Sequence, residues 1–378
     1  MHRYFARSVV FVAVPLLAGV AGAAPGTAAP ARTGPAPGPA AAVIFSGDLS
    51  GVAATSARNA WAVGSGGSFS SPRILIVHWN GTGWVRVPSP AGTGGGALSG
   101  VAATSAGSAW AVGCTHCFTS SSRSLILRWN GTVWTRVPSP SPGRSSSLSG
   151  VAATSADRAW AVGTTGTTTL ILRWNGTAWK RVPSPSPASN SGLSGVAATS
   201  GRNAWAVGEV VSSSSSFTHL ILHWNGKAWR RVAGPLPRYG KYGNALRGVA
   251  ATSDTNALAV GCTDECPVGG SPVIERWNGT GWKQVAAPTK PFGLYNLAAV
   301  AATSARSAWA VGSGGPVTDE GTAAAHWNGR AWTLSKAIAG AGLTGVAATS
   351  ATNAWAVGGT VHGRTLILHW NGTTWKAA

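Results

Sequence analysis

The chain has little acid, little sulfur and few aromatic residues other than tryptophan. Of 378 residues only 9 are Asp or Glu against 29 Lys and Arg, with 4 Cys, 4 Tyr, 7 Phe and 1 Met. So few acids disfavour two-carboxylate chemistry, which in glycosidases needs carboxyl groups about 5 to 9.5 Å apart. Beyond the N-terminus no apolar run reaches the ~18 residues of a membrane-spanning helix. No segment shows the 3.6-residue apolar period of an amphipathic helix. Disorder is excluded as well, because 44% hydrophobic residues run evenly along the chain. What is plentiful is Gly (52), Pro (22) and above all Trp (20).

Residues 1–23 have the parts of a secretory signal peptide: Arg3 and Arg7 in a basic start, an apolar run from Ser8, and small residues closing it at Ala21–Ala23. Cleavage is expected near Ala23. Residues 24–42 are nearly all Ala, Pro, Gly and Thr and read as a flexible linker.

From Leu49 one unit recurs: L-x-G-V-A-A-T-S, a turn, A-W-A-V-G, a variable segment, L-I-L-H/R-W-N-G-x-x-W, then R-V-P-S-P. Units start at Leu49, Leu98, Leu148, Leu193, Leu246, Leu297 and Leu343, an average spacing of 49 residues. Each unit has three Trp slots, and Leu258 fills the one slot that lacks a Trp, so all 20 Trp are placed. Four β-prone runs of four to six residues per unit predict four antiparallel strands, A to D. In A-W-A-V-G the large and small side chains alternate faces and neither face is polar. Such a sheet must be covered on both sides, which radial stacking does by setting the bulky face of one blade on the small-residue face of the next. The expected fold is an all-β, seven-bladed β-propeller over residues 43–378. Val43–Gly47 is a candidate extra strand for closing the ring.

The A-W-A-V-G…H-W-N-G-T-x-W pattern resembles the BNR or Asp-box propellers and the photosystem II assembly-factor type. It resembles more closely the Trp-rich secreted propellers of high-GC actinobacteria, and kelch repeats more distantly. It departs from the sialidase Asp box, since Asn80 and its equivalents stand where the Asp would be. The resemblance therefore implies the fold and not the activity.

The A–B and C–D turns are short and uniform, whereas the B–C and D–A connections vary, so function is expected on the variable face. Of the eight Phe and Tyr beyond the leader, seven fall in those connections. The ligand-binding candidates are Phe118, Phe217, Arg238, Tyr239, Lys241, Tyr242, Lys290, Phe292 and Tyr295. Together they could stack a sugar or grip an acidic partner, or the rings could fold over the blade ends. Cys114, Cys117, Cys262 and Cys266 are expected as two local disulfides, with redox or metal use the alternative for the first pair. His78, His223, His326 and His369 share a framework slot with Arg128, Arg173 and Arg276. His116, His219 and His362 show no ligand pattern, so neither metal nor cofactor is expected.

The +20 charge falls to +18 without the leader, and many bases recur on strand D, where edge protection accounts for much of the charge. A basic rim also draws the chain to anionic surfaces. The expectation is a secreted or wall-associated, monomeric, non-enzymatic binding module. Its partner would be an anionic cell-wall polymer, a glycan or an extracellular protein, with no nucleic acid. One alternative is an exported carbohydrate-active enzyme using Asp264, Glu265, Asp319 and Glu320, the one place where carboxylates are expected to converge. The other is a structural wall protein.

Overall fold

A computed structural model describes residues 45–378 except 69, 92, 94, 144, 189, 212–216, 236–242, 264–269, 289–293, 315–320 and 336–340, together with all but the side chains of Leu294 and Tyr295. Every described element is a strand. The chain forms seven four-stranded antiparallel sheets, each from four consecutive strands in the order A-B-C-D. Blade 1 is β1 (Asp48–Ser56), β2 (Asn59–Ser68), β3 (Ser71–Trp79) and β4 (Trp84–Arg86). Blades 2 to 7 follow as β5–β8 (96–137), β9–β12 (146–181), β13–β16 (191–231), β17–β20 (244–285), β21–β24 (294–334) and β25–β28 (341–377). The A strands of adjacent blades meet, and β1 meets β25, so the sheets close into a ring with A innermost and D outermost. This is the seven-bladed β-propeller that the repeats predict.

Strands A and B have eight to eleven residues and C six to nine, against the four to six expected, whereas D has only three or four. Thr and Ser flanking the apolar runs continue the pairing. Thr164 and Thr165 pair with Thr169 and Thr168, so residues that read as connection are strand.

Each A strand carries an extra residue at the same place. Leu49 pairs with Gly64 and Gly51 with Val63, leaving Ser50 as a bulge, and all seven blades repeat this. The bulge drives the Asp48 carbonyl against Gly64, where a Cβ would overlap it. That is why the repeat ends A-W-A-V-G. Gly51, one residue past the bulge, lies against the Cα of Gly100 in the next blade, and Gly345 of blade 7 lies against Gly51. The repeat therefore spends glycine where the inner strands crowd.

The core sits between blades. Trp61 and Val63 pack on Ala109, Ala111, Leu125 and Trp134 of blade 2, bulky face on small face. Trp61 meets Trp134 edge to face at 5.1 Å and 87°, with Trp129 4.7 Å away. The same trio recurs around the ring, including Trp355 of blade 7 with Trp79 and Trp84 of blade 1. Each strand-B indole removes roughly 200 Å² from water, on the order of 5 kcal/mol of gross transfer free energy at about 25 cal/mol/Å². Leu258 packs against Trp327 and Trp332 in the equivalent place.

Blade 7 supplies its own four strands, so no strand is exchanged to close the ring. Residues 45–47 add a clasp instead. The Thr365 N–H donates to the Phe45 carbonyl (2.9 Å), Gly47 N–H to the Gly363 carbonyl (2.8 Å), and Ser46 bridges Arg364.

Candidate functional site

Both uniform turns are held by their own side chains. In the C–D turn the Asn80 carbonyl oxygen accepts from the Thr82 N–H, the Gly83 N–H and the Thr82 hydroxyl at 2.8 to 3.0 Å. The Trp79 indole N–H donates to the Ala57 carbonyl of the A–B turn at 3.0 Å. These bonds give the recurring Asn-Gly-Thr a structural job.

The slot shared by His and Arg lies behind those turns. His78 stacks on Trp61 at 4.1 Å and bonds Asn59 at 2.8 Å; His223 with Asn203 and His369 with Asn353 repeat the pair. Arg128 lies over both Trp110 and Trp174, 5.1 and 5.5 Å from the ring centroids. Burial pulls the imidazoles of His78, His223, His326 and His369 below their ordinary value, with Asp254 opposing it at His223. His326 lacks an Asn, since Ser307 stands in that position, and both His326 Nε2 and the Ser307 hydroxyl are buried without a partner.

On the variable face, Cys114 and Cys117 form a disulfide, and Cys262 is also disulfide-bonded; Cys266 lies outside the described residues. Within and just after the loop this disulfide closes, His116 and Phe118 take positive φ angles of 50° and 67°. This bend leaves Phe118 58% exposed. Phe217 is the half-buried first residue of β15 (Phe217–Trp224) rather than a loop residue. It lies on blade 4 and Phe118 on blade 2, so the structure does not set the two side by side. Arg238, Tyr239, Lys241, Tyr242, Lys290 and Phe292 lie outside the described residues, as do Asp264, Glu265, Asp319 and Glu320. Tyr295 is described only as backbone of β21 (Leu294–Ser304).

The sequence reading misses one site. Between blades 4 and 5, His219 of β15 reaches Glu275 of β19 (Pro272–Trp277), with Nδ1 3.2 Å from Oε1. Glu209 of β14 (Ala204–Val211), the cross-strand neighbour of His219, faces Arg247 of β17 (Asn244–Ser253) at 3.6 Å. Glu275 is 1% and Glu209 6% exposed, and the Oε2 atom of each is buried without a hydrogen-bond donor. The Asn244 amide lies 2.8 Å from His219 Nδ1. That nitrogen can serve only one neighbour: as a lone pair it accepts from the amide and opposes the carboxylate, and as N–H the reverse.

Each member departs from the repeat. Glu275 occupies the slot of Val77, Leu127, Leu172, Leu222, Ala325 and Leu368. Arg247 is the bulge residue where other blades have Ser, Ala or Thr. His219 replaces Thr169 and Ser124, which bond Ser184 and Ser139. Opposite it stands Gly234, where any Cβ would overlap the imidazole. Among the described residues, then, Glu209 and Glu275 are the carboxylates buried at one blade interface, each beside its own basic partner, and His219 is a partnered interior residue. Slot-by-slot comparison of the units was the signal that could have found them. No described group of three His, Cys, Asp or Glu is placed to hold a metal.

Fold and interfaces define a seven-bladed propeller with indole-packed blade interfaces. No protein-family model matches the chain, and no curated protein does either. Among solved structures it is similar to YCF48 bound to a D1 peptide (TM-score 0.57, 14% identity, 87% of this chain and 95% of that one). It is also similar to YCF48 from Cyanidioschyzon merolae (0.55, 16%, 85% and 95%). A third is a PL25 polysaccharide lyase, an ulvan lyase, bound to -[GlcA(1-4)Rha3S]- (0.53, 8%, 88% and 96%). At such identities the likeness is one of fold. No helix among the described residues is long and apolar enough to cross a membrane.

Proposed function

We propose that the chain is a secreted, non-enzymatic binding module whose ligand is an anionic extracellular polymer. The observation that carries this is the surface charge. The described acids are Asp48, Asp157, Glu209, Asp254 and Glu275, and two of these are buried between blades 4 and 5. The ion pairs among the described residues are the two in that interface. Among the described residues the exposed bases of strand D thus have no carboxylate partner, which supports an attraction available to a ligand. The signal-like N-terminus and the disulfides support an exported site of action. A rigid ring with aromatic and basic connections at one face supports a second contact there, through Arg238, Tyr239, Lys241, Tyr242, Lys290, Phe292 and Tyr295 with Phe118 and Phe217.

Catalysis needs acids that a substrate can reach, and Glu209 and Glu275 are interior. The carbohydrate-active alternative therefore rests on Asp264, Glu265, Asp319 and Glu320.

The test is to incubate purified protein with isolated cell walls, soluble polyanions and neutral dextran. Salt-sensitive retention on walls and polyanions, without release of sugar, is expected. Retention that ignores salt would overturn the reading, and released sugar would move the protein to the enzymes. Loss on replacing Tyr239, Tyr242 and Tyr295 would assign the second contact to the variable face.

A further inference from the structure

The bases of strand D are patterned rather than scattered. The second residue after the strand-D Trp is Arg86, Arg136, Arg181 and Arg231 in blades 1 to 4, then Gln284, Leu334 and Ala377 in blades 5 to 7. All four arginines are exposed on the outermost strand. The preceding position holds an exposed base in blades 3, 4, 5 and 7 (Lys180, Arg230, Lys283 and Lys376), so what singles out blades 1 to 4 is the arginine itself. Edge protection does not explain this. The D strand of blade 6 is an edge of the same kind, yet it carries Thr333 and Leu334 and no charge. Among the described residues the exposed acids lie elsewhere: Asp157 and Asp254 in A–B turns and Asp48 at the start of strand A.

Resting on the reading above, we infer that these four blades form a cationic arc that binds one linear polyanion along the outer wall of the ring. The ligand class is an extended polymer with oxoanions at regular intervals, phosphate, sulfate or uronate. Arginine suits it, because the planar guanidinium grips two oxygens of one oxoanion, as a lysine does not. One arginine per blade at the shared position sets the spacing: packed sheets lie about 10 Å apart and splay outward, so one chain must pass several blades to engage all four arginines. Affinity then depends on chain length, through effective concentration.

The probes are long-chain inorganic polyphosphate, tripolyphosphate, polygalacturonate and dextran, with binding followed by tryptophan fluorescence or calorimetry across a salt series. Long-chain polyphosphate should bind far more tightly than tripolyphosphate at equal phosphate, and dextran should not bind. Replacing all four arginines with Gln should weaken polyphosphate about tenfold or more and lower the slope of log Kd against log salt by about four. These side chains are exposed, so circular dichroism and the unfolding midpoint should be unchanged. Adding Gln284→Arg, Leu334→Arg and Ala377→Arg to the quadruple variant should restore length-dependent binding on the opposite side of the ring. Polyphosphate against polygalacturonate separates phosphate from uronate sources. Wild-type protein that binds no polyanion would overturn the broader reading. Wild-type binding that survives the quadruple variant, or equal affinity for short and long chains, would overturn the arc and leave that reading standing.

Discussion

Replacing Glu275 with Leu should stabilise the protein. The side chain is 1% exposed, in a slot that six other blades fill with Val, Leu or Ala. Oε2 has no hydrogen-bond donor, and Oε1 competes with Asn244 for His219 Nδ1. Removing a buried, undonated acceptor relieves about 1–3 kcal/mol, and losing a charge-assisted bond to the imidazole costs about 1.5–3. Burying a leucine in its place contributes about 2 kcal/mol, so the net gain is on the order of 1–2 kcal/mol. His219 then keeps one partner, Asn244, and no conflict. The assay is urea unfolding at neutral pH followed by tryptophan fluorescence, in which the midpoint should rise at constant m. A midpoint lowered by an amount worth 1 kcal/mol or more would show that the carboxylate is a net support of the interface, and the reasoning would fail.

Three further outcomes follow from repeat slots. Ser307→Asn should give His326 the partner that Asn59 gives His78, removing two unsatisfied buried atoms and stabilising by about 1 kcal/mol; an unchanged urea midpoint would count against it. Gly234→Ser should destabilise by about 1–3 kcal/mol through overlap with the His219 imidazole, and adding His219→Thr should recover part of that by recreating the Thr169–Ser184 bond; additivity of the two losses in a double-mutant cycle would refute the pairing. The third concerns acid. Because burial lowers the imidazoles of His78, His223, His326 and His369 from 6.5, the folded state holds them neutral. Their contribution is complete above pH 6.5 and is lost as pH falls through the lowered folded values. The stability advantage of wild type over His78→Gln should therefore shrink below that pH, and a constant difference would contradict the assignment.

The sequence displays the fold because packing demands repeat in every unit. Trp61 and its counterparts recur since each blade must fill the same wedge against the next, and Gly64 recurs since each inner strand carries the same bulge. The ends of the strands were harder to read. Thr164 and Thr169 look like connection, yet they pair, because β-branched hydroxyl residues continue a ladder as well as they start a loop. The polar interface was illegible for another reason. Glu209 and His219 belong to one unit and Arg247 and Glu275 to the next, so each acid looks solitary along the chain. Only the stacking of blade 4 on blade 5 joins them, and only then does Gly234 read as space for an imidazole.

A ring of near-identical units makes departures informative in a way that a single irregular domain does not. The other blades fill the slots of 209, 219, 247 and 275 with uncharged residues such as Ser, Thr, Ala and Leu. The polar set there carries two carboxylate oxygens without donors, which the apolar plan avoids, so stability alone does not account for it. The arginine arc spans blades 1 to 4 with no structural demand for it, because Gln, Leu and Ala serve the same outer position in blades 5 to 7. The two features are independent tests of one idea. If both were neutralised and the protein folded better while binding nothing, the asymmetry of this ring would be the part of the sequence kept for a partner.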